Sequence, residues 1–262
     1  MAERFATVDL CGMPLASVHT QQLLDHLFES LGHGRGGWLV TANLDFLRRF
    51  VHDPAARDVY KGADLRVADG MPLVWASHVQ GTPLPERVAG SSLLVPLCQR
   101  AAREGRSVYL LGGDPGVAQV AGERLSASAP GLLIAGQMAP RVSADVSDAD
   151  LAPMREALLA ARPAIVLVAF GSPKQERVIS RLRAALPEAW WIGVGISFSF
   201  LAGHVARAPV LLQNIGLEWA HRLAQEPERL FRRYVFENIP FAIELFGRAA
   251  LTRLRDEGRR FR

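Results

Sequence analysis

Two rhythms of apolar residues alternate along the chain. Short runs that are apolar at nearly every position read as buried strands. Longer stretches in which apolar residues return every three or four positions read as helices with one buried face. Arg4 to Gly12 alternates and predicts a strand with a turn at Cys11–Gly12. Val18 to Leu31 then places Leu23, Leu24, Leu27, Phe28 and Leu31 on one helical face. Trp38 to Thr41 predicts a short strand, followed by a helix from near Asn43 that carries Leu44, Phe46, Leu47 and Phe50. Asp64 to Ala68 is a further strand, and after Asp69–Gly70 a helix starts at about Pro72. Val88 to Glu104 is helical, Ser107 to Leu111 a strand, Val117 to Ala127 a helix, and Leu132 to Gly136 a strand. The acidic stretch Asp145 to Asp150 leads into a helix from Ala152 to Ala161. Ala164 to Phe170 is the most buried-looking strand; a helix follows from Lys174 to Leu186, and Trp190 to Val194 is the last clear strand.

Short apolar strands alternating with helices predict an α/β fold, with a mainly parallel, Rossmann-like sheet flanked by helices. The chain changes character after Pro209. From Asn214 to the end it carries ten arginines, no lysine and seven acidic residues, mixed with Trp219, Leu230, Phe231, Tyr234, Phe236, Phe241 and Phe246. The expected organisation is an α/β body over 1–209, with room for two sublobes divided near residue 100, and a basic, helical C-terminal appendage over 210–262.

At 262 residues and 49% hydrophobic, the chain can bury a core of one large or two small domains. Its formal net charge is +4, yet only Lys61 and Lys174 are lysines among 30 basic residues, so the Lys174 ammonium stands out. Cys11 and Cys98 fit no metal or redox spacing, which suits a reduced, cytoplasmic setting. No stretch has the length of a spanning helix or the form of a signal peptide, so a soluble or peripheral protein is expected. No nucleic-acid module is recognisable, and none is expected as a partner.

In parallel α/β sheets ligands bind beyond the carboxyl ends of the strands. Thr41 and Asn43, Asp69, Gly112 and Gly113, the run Gly171 to Glu176, and Gly193 with Gly195 all fall at such ends. Each also reads as ordinary structure: Asn43 and Asp69 as helix caps, Asp69–Gly70 as a turn. Glycines at helix starts suit a phosphate, but Gly112, Gly113 and Gly116 lack the dinucleotide spacing, and neither lysine sits in a phosphate-binding loop of the NTPase type. In Gly171-Ser-Pro-Lys-Gln-Glu176, Pro173 suits a first helical turn, and Lys174 and Gln175 can face a ligand there. Arginines among aromatics suit a diphosphate or an anionic membrane surface.

The motifs TANLDFL (41–47), ADGMPLVW (68–75), LLGGDPGVA (110–118), FGSPKQE (170–176), GVGISFSFLAGHVARAP (193–209) and GLEWAHRLAQEPERLFRRY (216–234) resemble, in this order, those of the WecG/TagA/CpsF family of glycosyltransferases, glycosyltransferase family 26. The resemblance implies an inverting, metal-independent transfer from a UDP-sugar to a polyprenyl-diphosphate-linked saccharide, for cell-surface polymers such as exopolysaccharide. It implies a peripheral position on the inner face of the cell membrane, with the C-terminal appendage completing the active site. Asp69 matches the family's general base, and Thr41 and Asn43 the polar groups near it. Gln175, with Lys174 and Glu176, matches the donor side. Arg222, Arg229, Arg232 and Arg233 match a basic motif that neutralises the leaving UDP. Ser199 departs from the acidic residue of many relatives, which puts the donor sugar in doubt. Hexosyl and N-acetylhexosaminyl donors, the acceptor, and a homo-oligomer through the appendage all stay open. Two rival readings are a nucleotide-dependent oxidoreductase, disfavoured by the missing glycine fingerprint, and a non-catalytic membrane-surface adaptor.

Overall fold

A computed structural model describes residues 5–260. In chain order the elements are β1 (Thr7–Leu10), β2 (Met13–Ala16), α1 (Thr20–Gly32), β3 (Gly37–Ala42), α2 (Leu44–His52), α3 (Pro54–Lys61), β4 (Leu65–Ala68), α4 (Met71–Gln80), α5 (Gly90–Arg103), β5 (Ser107–Gly112), α6 (Val117–Ser128) and β6 (Leu133–Met138). They continue with α7 (Asp148–Ala161), β7 (Ile165–Ala169), α8 (Lys174–Leu182), β8 (Trp190–Gly193), α9 (Ser197–Ala202), α10 (Val210–Asn214), α11 (Glu218–Gln225), α12 (Pro227–Phe231) and α13 (Ile239–Arg260).

Six strands form one sheet in the order β4-β3-β8-β7-β5-β6, and every pairing in it is parallel. Strands from before and after residue 100 share this sheet. The fold is thus the expected α/β type, with helices on both faces and a long C-terminal helix. In β7 all five residues are buried and alternate between the two faces. Val166 and Val168 join one core with Trp38 and Trp191; Ile165, Leu167 and Ala169 join the other with Trp190 and Ile192. Burial on both faces is why this strand reads as an unbroken apolar run.

The turn at Cys11–Gly12 closes an antiparallel hairpin, β1 on β2, with both residues at positive φ. The second strand of that hairpin is absent from the sequence expectation because Pro14 masks it; here Pro14 sits in a two-stranded ribbon outside the main sheet. The expected first strand began at Arg4, which lies outside the described residues. Helix α3 is also additional, started by Asp53, whose carboxylate accepts from the Ala55 and Ala56 N–H groups. The acidic lead before α7 belongs to the helix itself: Ser147 and Asp150 form a reciprocal capping box.

The C-terminal helices pack against the body. Phe241, Leu245 and Ala249 of α13, four residues apart, complete one core face of the body, packing with α4. Between α12 and α13 the chain stays helical but winds as a π-helix over Arg232–Asn238. Gly216, at φ 70°, seats the segment before α11: a Cβ there would lie 2.4 Å from the Trp75 ring.

Candidate active site

A cleft of about 1270 Å³ opens beyond the carboxyl ends of β3, β4, β5, β7 and β8. Thr41, Asn43, Asp69, Gly113, Gly171, Lys174, Gln175, Gly193 and Gly195 all line it, although they come from five separate loops. Its outer wall is C-terminal: Glu218, Trp219, Arg222, Glu226, Arg229, Arg233 and Tyr234.

Asp69 is set deep, with one edge open to the cleft. Its own N–H continues the sheet ladder to the Ala42 carbonyl (2.7 Å). The next loop adds to the end of β4 through Val88 N–H and the Ala68 carbonyl (2.8 Å), which brings Arg87 and Gly90 beside the carboxyl. Gly90 N–H donates to Asp69 Oδ2 (3.2 Å), and the Thr41 hydroxyl donates to it as well. Asp69 is not the cap of α4 (Met71–Gln80), whose N-cap is Gly70. Burial pushes its carboxyl up to about 7, against the hydrogen bonds and the Arg87 charge, which hold it down. Arg87 forms an ion pair with Glu218 (3.1 Å). Asn43 does cap α2, accepting from Phe46 N–H (3.0 Å), while also facing the cleft.

At the start of α8, Gln175 is buried and its carboxamide is fully directed. Its Oε1 accepts from Gly195 N–H (3.0 Å), and its Nε2 donates to Glu176 Oε1 (2.8 Å). It lies so close to β8 that a Cβ at residue 193 would come within 2.7 Å of Nε2 and would push the carboxamide from its place. Lys174 Nζ donates to the Val142 carbonyl (3.0 Å) and so ties the loop after β6 to the cleft rim.

Three of the sequence candidates, Glu176, Gly112 and Arg232, lie off the cleft, and Gly113 lines it with its N–H already engaged. Glu176 does not face the cleft; it is buried beneath Gln175, near Ser172, Tyr60 and Arg49, and burial raises its pKa. Gly112 lies inside the sheet, and Gly113 N–H is already taken by the Ala169 carbonyl (2.8 Å), so neither offers a free amide as a phosphate cradle. Arg232 is exposed and off the cleft, whereas Arg222, Arg229 and Arg233 line it. The Nε atoms of Arg222 and Arg233 are buried with no hydrogen-bond partner, and the Arg233 guanidinium lies 5.1 Å from the Tyr234 ring. Arg229 pairs with Glu226 (2.8 Å).

Arg87, Glu218, Arg141 and His204 also line the cleft and were not singled out in the sequence. Nothing local marks them. Arg87 and Glu218 take their places from a contact across 131 residues. Among the described residues, no three or more His, Cys, Asp and Glu side chains are grouped to hold a metal ion. Nor is any described helix long and apolar enough to cross a membrane.

A parallel six-stranded sheet with a polar cleft at its carboxyl ends defines a Rossmann-like α/β protein with a ligand site at the usual edge. The family model described as the glycosyl transferase WecG/TagA/CpsF family matches residues 8–255. The chain belongs to that family and is a glycosyltransferase.

Proposed function

We propose that this glycosyltransferase moves a hexosyl or N-acetylhexosaminyl unit from a UDP-sugar to a hydroxyl of a polyprenyl-diphosphate-linked saccharide, in cell-surface polysaccharide biosynthesis. The observation that carries the reading is Asp69: a carboxyl that burial pushes up to about 7, in a cleft also lined by Arg222, Arg229 and Arg233. A base with a pKa near the working pH is suited to proton transfer.

In this reading the acceptor oxygen attacks the anomeric carbon from the Asp69 side, and Asp69 takes the hydroxyl proton. The bond from the anomeric carbon to the UDP oxygen breaks, and UDP leaves with the electron pair. Direct displacement inverts the anomeric centre. Thr41 and Gly90 N–H hold the carboxylate. Gln175, fixed by Gly195 and Glu176, faces the donor, and Lys174 holds the neighbouring loop. The guanidinium groups of Arg222, Arg229 and Arg233 balance the charge on the departing diphosphate without a metal ion.

The acceptor's lipid implies a membrane surface. Phe231, Phe236, Ile239 and Ile243 stand exposed on the C-terminal helices, and Phe236 and Ile243 are 67% and 71% accessible. With neighbouring arginines they suit a peripheral position on the cytoplasmic face of an anionic bilayer.

The test is UDP release from a panel of UDP-sugars, with and without a polyprenyl-diphosphate-linked saccharide. Acceptor-dependent release from one donor supports the reading, and no release from any donor in the presence of UDP binding opposes it. Asp69→Asn should lower turnover by about 10²–10⁴-fold while UDP still binds, measured by titration. Undiminished turnover would remove Asp69 from the chemistry.

A further inference from the structure

Two charged residues beside Asp69 come from opposite ends of the chain. Arg87 precedes α5, three positions before the Gly90 N–H that bonds Asp69. Glu218 begins α11, on the C-terminal segment that Gly216 seats against Trp75 and Met71. Arg87 Nη1 and Glu218 Oε2 meet at 3.1 Å, and their side chains are only 14% and 21% accessible. Both line the cleft with Asp69. Arg87 shares the cleft with Asp69 and its charge acts on the carboxyl, and a charge-assisted pair between them would be stronger than a neutral hydrogen bond. Here Arg87 is engaged by the C-terminal carboxylate instead.

We infer that Glu218 is a positioning residue which couples seating of the C-terminal helices to the reactivity of Asp69, by holding Arg87 away from the Asp69 carboxylate. With these helices seated, Arg87 is neutralised and Asp69 keeps a high affinity for the acceptor's proton. Without Glu218, Arg87 is free to pair with Asp69, which becomes a weaker base. This rests on the reading of Asp69 as the base.

The charged groups acting on Asp69 are Arg87, from the loop before α5, and Glu218, from α11; Thr41 of β3 and the Gly90 N–H add neutral hydrogen bonds. Arg87 lowers the proton affinity of Asp69 and Glu218 raises it, so the two substitutions have opposite signs.

The experiment needs no substrate. Protein carrying aspartate labelled with ¹³C at the side-chain carboxyl is titrated by NMR, and the Asp69 signal is assigned by its loss in Asp69→Asn. The wild-type signal should titrate near 7. In Glu218→Gln the midpoint should fall to about 6, while Glu218→Asp, which keeps the charge, should stay near the wild type. Arg87→Gln should move it upward. If Glu218→Gln leaves the midpoint in place while the wild type titrates near 7, the coupling is wrong and the base reading stands. If the wild-type carboxyl titrates in the ordinary aspartate range, the base reading falls and this inference with it. Helix seating alone would change stability in both Glu218 variants without separating their midpoints.

Discussion

Asp69 sits where water is scarce, and that makes the stability of the fold depend on pH. Its folded pKa of about 7 lies above the ordinary 3.8, so the folded protein holds this proton more tightly than the unfolded chain does. The resulting stabilisation is fully present below about pH 4 and is lost as pH rises towards 7. The loss should be about 4 kcal/mol, the linkage equivalent of a shift from 3.8 to about 7. Asp69→Asn, which cannot ionise, should therefore unfold at a higher temperature than the wild type at pH 8 and at a similar one at pH 4. Calorimetry at the two pH values measures this. A variant no more stable at pH 8 would show that the charged carboxylate is fully satisfied where it sits. A variant that is more stable at pH 8 would make the same residue costly to the fold and valuable to the chemistry, a common position for a reacting group.

The first turn of α8 holds the Gln175 amide, proposed to face the donor, by means of a buried acid. Glu176 Oε1 accepts from the Gln175 nitrogen, which leaves the Gln175 oxygen turned towards Gly195 N–H. Glu176→Gln removes that constraint, because a second amide can donate or accept. UDP affinity should fall about tenfold, corresponding to about 1.4 kcal/mol, in a calorimetric titration; unchanged affinity would mean that the orientation of Gln175 does not matter to the donor. Much of this architecture is legible along the chain. Apolar runs mark the six strands of the main sheet, and the polar residues after them fall at one edge because parallel strands all end there. What is not legible depends on distant partners. Glu176 looks like a solvated first-turn acid, and only the packing of Tyr60 and Ser172 around it shows that it is buried. Arg87 and Glu218 lack any local signature. Pro14 conceals β2, since a proline argues against a strand unless the partner strand is known.

The C-terminal helices contribute to the whole molecule at three places: the cleft wall, the exposed apolar ridge and the body's core. Leu245 is fully buried, so Leu245→Ala should destabilise the protein by about 2–5 kcal/mol in a denaturant titration. A shift below about 0.5 kcal/mol would mark these helices as an independent attachment. For the same reason the proposed membrane contact is better tested by substitution than by deleting the chain from residue 214, which would open the core. The double variant Phe236→Ser, Ile243→Ser alters only exposed positions and should lose binding to anionic vesicles at an unchanged melting temperature. Undiminished sedimentation with the vesicles would place the contact elsewhere. The π-wound stretch at Arg232–Asn238 is what lets one continuous helix serve both the cleft and the core. A wider turn carries more residues per revolution, so it resets the angular phase between Arg229 and Arg233 on one side and Phe241, Leu245 and Ala249 on the other. Wound as an ordinary α-helix, the same residues would rotate one group off its target while the other stayed in place. The extra width acts as a gear between two surfaces, and a change in its winding would alter the site while leaving every side chain in it the same.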